Sequence, residues 1–311
     1  MRNKTTVKNV LVIGGSYFVG RVFVEELSRI PDYAIYVMNR GNVPINIEGV
    51  TEIRCDRHDT EAMYKAIPSI MWDSVVDFCA YMPEDIATMI SILPSHVISQ
   101  YIFISTASIY EKTNDLPIRE GAPRLAGPQQ RPHGDYAYNK HLAEEELKIQ
   151  CSENNIPWTV FRPAFIYGKY NYALRESYFF DLVQEGETII IPDNELALFT
   201  FVSVWDVARA IIVCIGNKNA YTKAFNLSGE ELISYPRFID VLRIITGEHI
   251  MVESMSVRQI DTLGIPLPFP LDEHLVYSGT LITKDIGFSY TPFLEGMSVT
   301  YAWYKQKGSG K

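Results

Sequence analysis

Tyr136 and Lys140 stand four residues apart in YAYNK, a spacing that places two side chains on one face of a helix. A tyrosine with an ordinary pKa near ~10 is a poor base, but a neighbouring ammonium favours its charged form and draws it toward working pH. Tyr136 could then exchange a proton with a substrate alcohol or carbonyl. In a chain with 19 tyrosines the spacing arises readily by chance, so position has to give it meaning. The pair opens a helix-like stretch that follows FISTASIY, where a strand ends in Ser105, Thr106 and Ser108. Hydroxyls at the carboxyl edge of an open sheet face its ligand crevice, and Thr106 would orient the substrate oxygen there.

A second constellation lies near the start. LVIGGSYFVG is an apolar run that breaks at Gly14 and Gly15, passes Ser16, Tyr17, Phe18 and Val19, and resumes as a helix pattern at Gly20. A glycine turn between strand and helix lets backbone approach a pyrophosphate that rests on the helix N-terminus. Nineteen residues after Gly20 the next strand ends in Asn39 and Arg40, where an acid would meet the ribose 2′-hydroxyl of NAD. A guanidinium there suits a 2′-phosphate, so the expected cofactor is NADP(H) in preference to NAD.

The elements that must position these residues are legible as alternation. Short β-branched runs (KNVLVIG, YAIYVMNR, VTEIRCD, DSVVDFCAY, QYIFISTAS, PWTVFRP) alternate with longer amphipathic ones, the pattern of a parallel sheet covered by helices on both faces. The predicted fold is α/β, a doubly wound Rossmann-type sheet. After Gly168 the alternation gives way to aromatic and proline-rich pieces, YNYALRESYFF and GIPLPFPLDEH, which predict a smaller substrate lobe. The expected division is a dinucleotide domain over 1–168, re-entered at about 199–222, with the lobe formed by 169–198 and 223–311.

Composition narrows the partners. The net charge of −9 provides no broad basic field for nucleic acid or anionic lipid. Cys55, Cys79, Cys151 and Cys214 lack metal-ligand or CxxC spacing and read as core or near-core thiols in a reducing compartment, with no metal site. The apolar run near the N-terminus is shorter than the ~7 to 15 residues of a signal segment, and nothing approaches the ~18 of a membrane span, so a cytoplasmic location is expected.

GGSYFVG, FISTASIY, YAYNK, FRPAFIYG, FTFVSVWDVA and FNLSGE, in this order, resemble the extended short-chain dehydrogenase/reductase family of NAD(P)-dependent epimerases and dehydratases, and the similarity runs on through KDIGFSYTPFLEGMSVTYAWY. The resemblance implies Thr106, Tyr136 and Lys140 as the catalytic group, Lys140 also holding the nicotinamide ribose. It implies Asp56 and Arg57 beside the adenine, Ala80 lining the dinucleotide, and Pro163 to Phe165 flanking the nicotinamide. It also implies a homodimer through helices near residues 83–93 and 135–152, and a structural role for Asp206 at a helix start.

Departures from that pattern carry their own expectations. Tyr17 replaces the middle glycine of the loop, as in a branch that includes the chloroplast stem-loop-binding proteins, and it should fold outward over the cofactor. Nucleotide-sugar members place an Asn at Phe165 and an Arg at Phe199, and residues 259–283 lack Arg and Lys, so a small sugar-like or other carbonyl or alcohol substrate is expected rather than a nucleotide-diphosphate sugar. Ala107 and Ser108 stand where dehydratases carry an Asp and a Glu, which favours an oxidoreductase or epimerase. The alternative is a non-catalytic dinucleotide-fold protein that binds RNA or regulates. His58 and His133 are weaker proton-carrier candidates, and Glu144, Glu145 and Glu146, being consecutive, read as a solvated face. The aromatics from Tyr167 to Phe180 divide between core packing and an apolar or sugar-stacking pocket.

Overall fold

The computed structural model of the chain describes residues 7–93, 95–129, 134–194 and 197–308. Its centre is a seven-stranded sheet in which every neighbouring pair is parallel. The strands are β1 (Lys8–Ile13), β2 (Tyr33–Asn39), β3 (Val50–Arg54), β4 (Ser74–Asp77), β5 (Tyr101–Ile104), β6 (Trp158–Pro163) and, after the second-lobe strands, β10 (Lys223–Leu227). Their spatial order is β10-β6-β5-β4-β1-β2-β3, so the chain reverses direction across the sheet between β1 and β4. An open α/β sheet binds its ligand outside the strand ends at that reversal.

Helices cover both faces, as the apolar runs of the strands require. On one face α1 (Phe18–Leu27) packs against α6 (Val204–Cys214) over Val10, Val12, Val37 and Val76. On the other, α2 (Thr60–Ala66), α3 (Pro83–Ile92) and α4 (Gly134–Glu153) enclose Leu11, Ile13, Val75, Tyr101 and Phe103. Helix α6 begins where Ser203 accepts the Asp206 amide at its N-terminus, while the Asp206 carboxylate accepts the Thr291 amide and hydroxyl. Asp206 is therefore occupied in joining α6 to the 291 turn.

The second lobe contains β7 (Phe165–Tyr167), α5 (Glu176–Glu185), β8 (Ile189–Pro192), β9 (Phe201–Ser203), α7 (Tyr235–Thr246), β11 (Val252–Met255) and α8 (Val257–Leu263), followed by α9 (Thr280–Ile286) and α10 (Phe293–Gly308). An aromatic cluster of Phe179, Phe199, Phe201, Phe238, Phe269 and Phe293 fills its interior. The re-entrant segment reaches further than 222: β10 is the edge strand beside β6, and Ile282 of α9 packs into the α1–α6 core. Sequence periodicity marks such strands but not their place in the sheet order.

No helix among the described residues is long and apolar enough to cross a membrane. Cys55, Cys151 and Cys214 are buried, and Cys79 is partly buried beside the glycine turn.

Candidate functional site

A cleft of about 590 Å³ opens at the carboxyl ends of the strands. One end is the glycine turn. Gly14 has φ +85°, and a Cβ on Gly20 would lie 2.4 Å from the Gly14 carbonyl oxygen, so the turn folds tightly against the start of α1. Gly15 serves packing: its α-carbon faces Val37 and Val24, and it does not line the cleft. Tyr17 has ordinary extended backbone (φ −125°, ψ 150°), is 58% exposed and lines the rim. The unusual angle falls on Phe18 instead, at φ 37°, a region that costs a bulky residue ~1 to 3 kcal/mol. The first turn of α1 has no side-chain cap and no acidic residue, which leaves backbone N–H groups free for an anion.

Thr106, Tyr136 and Lys140 line the other end of the same cleft, with Ser105 and Ser108. Lys140 is 2% exposed; its Nζ donates to the Ile104 carbonyl at 2.8 Å and lies over the Tyr81 and Phe103 rings at 4.8 and 4.7 Å. Burial pushes its pKa down to about 8, against the opposing pull of Asp77 and Cys79. The expected depression of the Tyr136 pKa is not found. Burial of its hydroxyl, with Tyr81 and Tyr172 nearby, raises the pKa above the ordinary phenol value, while Arg175 and the Thr106 hydroxyl pull the other way. Desolvation of the hydroxyl beside Tyr81 and Tyr172 outweighs the Arg175 cation, even though the residue as a whole is 41% exposed.

Between these ends the structure places the remaining predicted residues unevenly. Asn39, Arg40, Asp56, Arg57 and Pro163 line the cleft. The Asn39 side chain is occupied, accepting the Gly41 amide and donating to Glu52, whereas Arg40 is exposed at the rim. Arg57 is held by both oxygens of Asp77 at 3.0 to 3.2 Å and by Asp85, so it braces the β4 end instead of offering a free cation. Ala80 is fully buried and off the cleft. Its amide and that of Cys79 donate to Asp77 Oδ1, a turn that presents Cys79 and Tyr81 to the cleft. Phe165 likewise faces away. On β7 the two-residue period turns Phe165 and Tyr167 toward the second-lobe aromatics and leaves Ala164 and Ile166 on the cleft. His58 lies at the Asp56 end, 3.3 Å from both Asp56 and Asp85, and His133 falls outside the described residues.

Glu144 corrects the reading of AEEEL as a solvated face. It is 0% exposed and pairs with the equally buried Arg162 of β6 through both oxygens, while Glu145 stays at the surface with Arg124 and Lys148. The aromatic stretch also divides: Phe179 and Phe180 are core, and Tyr172 reaches the cleft, its ring 5.9 Å from Phe18. Arg175, beside it, is a cleft residue that the sequence reading passed over. Its signal was a lone arginine between two aromatic runs.

The residues present fit a dinucleotide. Ser16 Oγ and Ser105 Oγ, one at each end of the cleft, are buried and have no hydrogen-bond partner among the described residues, as polar groups meant for a ligand would be. Residues 10–228 match the family model described as "NAD dependent epimerase/dehydratase family". The chain belongs to that family. It is 26% identical over 242 residues to the chloroplast stem-loop binding protein of 41 kDa b of Arabidopsis thaliana, a match that takes in 73% of this chain and 60% of that one. The chain therefore spans less than two thirds of that relative. Among solved structures, the UDP-glucose 4-epimerase of Thermotoga maritima with UDP-glucose superposes with a TM-score of 0.77 at 18% identity, covering 96% of this chain and 99% of that one. The UDP-glucuronic acid 4-epimerase of Bacillus cereus with UDP-glucuronic acid and NAD gives 0.75 at 16%, over 96% and 99%. These likenesses establish the Rossmann-like fold.

Proposed function

We propose that this epimerase/dehydratase-family protein is an NAD(P)-dependent oxidoreductase or epimerase acting on a carbon that bears a hydroxyl or carbonyl group. The observation that carries the reading is the convergence in one cleft of an uncapped helix N-terminus, two unpartnered buried serine hydroxyls and the Thr106, Tyr136 and Lys140 side chains. A nicotinamide dinucleotide, when bound, supplies the hydride acceptor or donor. Gly14 and the amides of residues 16–19 hold its phosphates, Lys140 Nζ hydrogen-bonds its ribose, and Pro163 borders the nicotinamide. Tyr136 Oη takes a proton from the substrate hydroxyl or returns one to the carbonyl, with the Thr106 hydroxyl orienting the same oxygen. A phenol held above its ordinary pKa in the free cleft is a better acid than base, so cation and ligand contacts made on binding must lower it. Arg40 at the rim supports a preference for NADP(H).

The substrate is sugar-like or another small alcohol or carbonyl. Phe165 and Phe199 contribute rings to the second-lobe core, which supports a substrate other than a nucleotide-diphosphate sugar, although the two solved relatives are described with UDP-sugars. A homodimer and a cytoplasmic location complete the reading. The relative named as a stem-loop binding protein favours one second reading, a dinucleotide-fold protein that binds RNA without catalysis. The test is a Tyr136→Phe variant assayed with NAD⁺ and NADP⁺ against a panel of sugars, alcohols and nucleotide sugars. Turnover should fall by about 10² to 10⁴ with dinucleotide affinity retained. Turnover equal to wild type would refute the catalytic role, and stem-loop RNA binding by a wild type without turnover would establish the second reading.

A further inference from the structure

Past residue 168 the chain sends only two of its described residues to the cleft, Tyr172 and Arg175. Arg175 immediately precedes α5, and its side chain is held in place twice. Nη1 donates to the Ile166 carbonyl at 2.9 Å, and the guanidinium lies over the Phe165 ring at 5.5 Å. Both contacts fix the plane of the fork while leaving Nε and Nη2 without a protein acceptor among the described residues. No carboxylate lies within 4 Å of it there, unlike Arg57 and Arg162, which are both ion-paired. Its neighbours in the cleft are Tyr136 and Tyr172.

Charge balance sharpens the point. The whole chain carries −9, yet the cleft is lined by Arg40, Arg57, Lys140 and Arg175 against one carboxylate, Asp56, which stands at the opposite end with Arg40 and His58. Two carboxylates neutralise Arg57, and Lys140, anchored by the Ile104 carbonyl, is the group assigned to the cofactor ribose. Arg175 is left as the cation near Tyr136 with no ion pair among the described residues, and burial lowers its pKa against the pull of the Glu176 carboxylate, which is itself turned to the Gly168 amide and Asn171. A desolvated guanidinium with free donors costs stability unless a ligand anion completes it.

We propose that Arg175 is the substrate's anion-binding residue, its guanidinium donating to a carboxylate or phosphate oxygen beside Tyr136. This rests on the dinucleotide reading, which places the cofactor phosphates at the glycine turn and so leaves Arg175 to the substrate. The substrate is then an acid or a phosphate ester, and the family's hydride chemistry would act on a carbon within reach of that anchor. The anchor sits in the cleft wall over the Phe165 ring, apart from Phe199 and residues 259–283.

Calorimetric titration of D-glucuronate, UDP and D-glucose into wild type, Arg175→Gln and Arg175→Lys, each saturated with NAD⁺, tests the assignment. At least one anion should bind wild type about tenfold or more tightly than D-glucose, and Arg175→Gln should weaken that anion by about 10- to 100-fold with NAD⁺ affinity unchanged. Arg175→Lys should recover part of the loss, because a point charge keeps the attraction without the fork. Preference for D-glucuronate assigns a carboxylate on the substrate, and preference for UDP assigns a diphosphate and overturns the reading against a nucleotide-diphosphate sugar. Anions that bind no better than D-glucose, or an Arg175→Gln variant whose NAD⁺ affinity falls as far as its anion affinity, would overturn the role of Arg175 while leaving the dinucleotide reading intact. A wild type that binds neither NAD⁺ nor NADP⁺ would overturn both.

Discussion

Glu144 and Arg162 illustrate how a single residue can be misjudged from its neighbours. Three consecutive glutamates on a helix point in three directions, and one of them had to face the sheet, but which one depends on the rotation of α4 over β6. The partner that makes burial tolerable lies 18 positions away on another element. Arg162 also donates to the Tyr110 hydroxyl, which donates in turn to Asn226 Oδ1, so the pair ties α4 and β6 to the edge strand β10. Removing one partner leaves the other charge buried and alone. Glu144→Gln or Arg162→Met should each cost about 3 to 5 kcal/mol in urea unfolding, whereas the double replacement by apolar residues should recover much of the loss. Losses below about 1 kcal/mol in both single variants would mean that the pair is solvated in solution. That Thr106, Tyr136 and Lys140 would share one end of a cleft was legible because their spacing and place after a strand are local properties. Arg175 was not, because what marks it is that the neighbouring Glu176 carboxylate turns to Gly168 and Asn171 instead of pairing with it, a feature of three-dimensional packing.

At the scale of elements, the segment between β7 and α5 decides what reaches the cleft. Glu176, 3% exposed, accepts the Gly168 amide at 2.8 Å and the Asn171 side-chain amide at 3.0 Å, closing the loop that delivers Tyr172 and Arg175. Burial raises its pKa to about 7, above the ordinary 4.5, despite these donors and Arg175. The folded state therefore binds more protons than the unfolded state across that interval. The contribution of Glu176 is fully present below pH 4.5 and is lost as pH rises through about 7. Thermal unfolding should accordingly show wild type losing stability relative to Glu176→Gln as pH rises from 4.5 to 7.5, the amide having no charge to bury. Parallel profiles would contradict the assignment. The strands and helices of the first domain were readable from periodicity, and the loop was not, since its shape comes from one buried carboxylate. The glycine turn shows a similar limit: Tyr17, which replaces a loop glycine, has extended backbone, and the neighbouring Phe18 carries the positive φ.

The whole molecule joins a sheet whose order follows from alternating sequence to a lobe whose core is aromatic. The doubly wound class and the change of character after Gly168 were both visible in sequence. The return of β10 to the sheet edge and of α9 to the α1–α6 core was not, because short apolar segments do not say which surface they will cover. This arrangement makes one cleft from both parts of the chain, with the glycine turn, Lys140 and the second-lobe residues facing a shared volume. The central claim is that this volume holds a nicotinamide dinucleotide. It is tested most directly by calorimetric titration of NAD⁺ and NADP⁺ into wild type, Arg40→Ala and Lys140→Met. One dinucleotide should bind per chain with NADP⁺ preferred, Arg40→Ala should erase the preference, and Lys140→Met should weaken both dinucleotides by about tenfold or more. A folded wild type that binds neither dinucleotide, or a Lys140→Met variant with wild-type affinity for both, would contradict it.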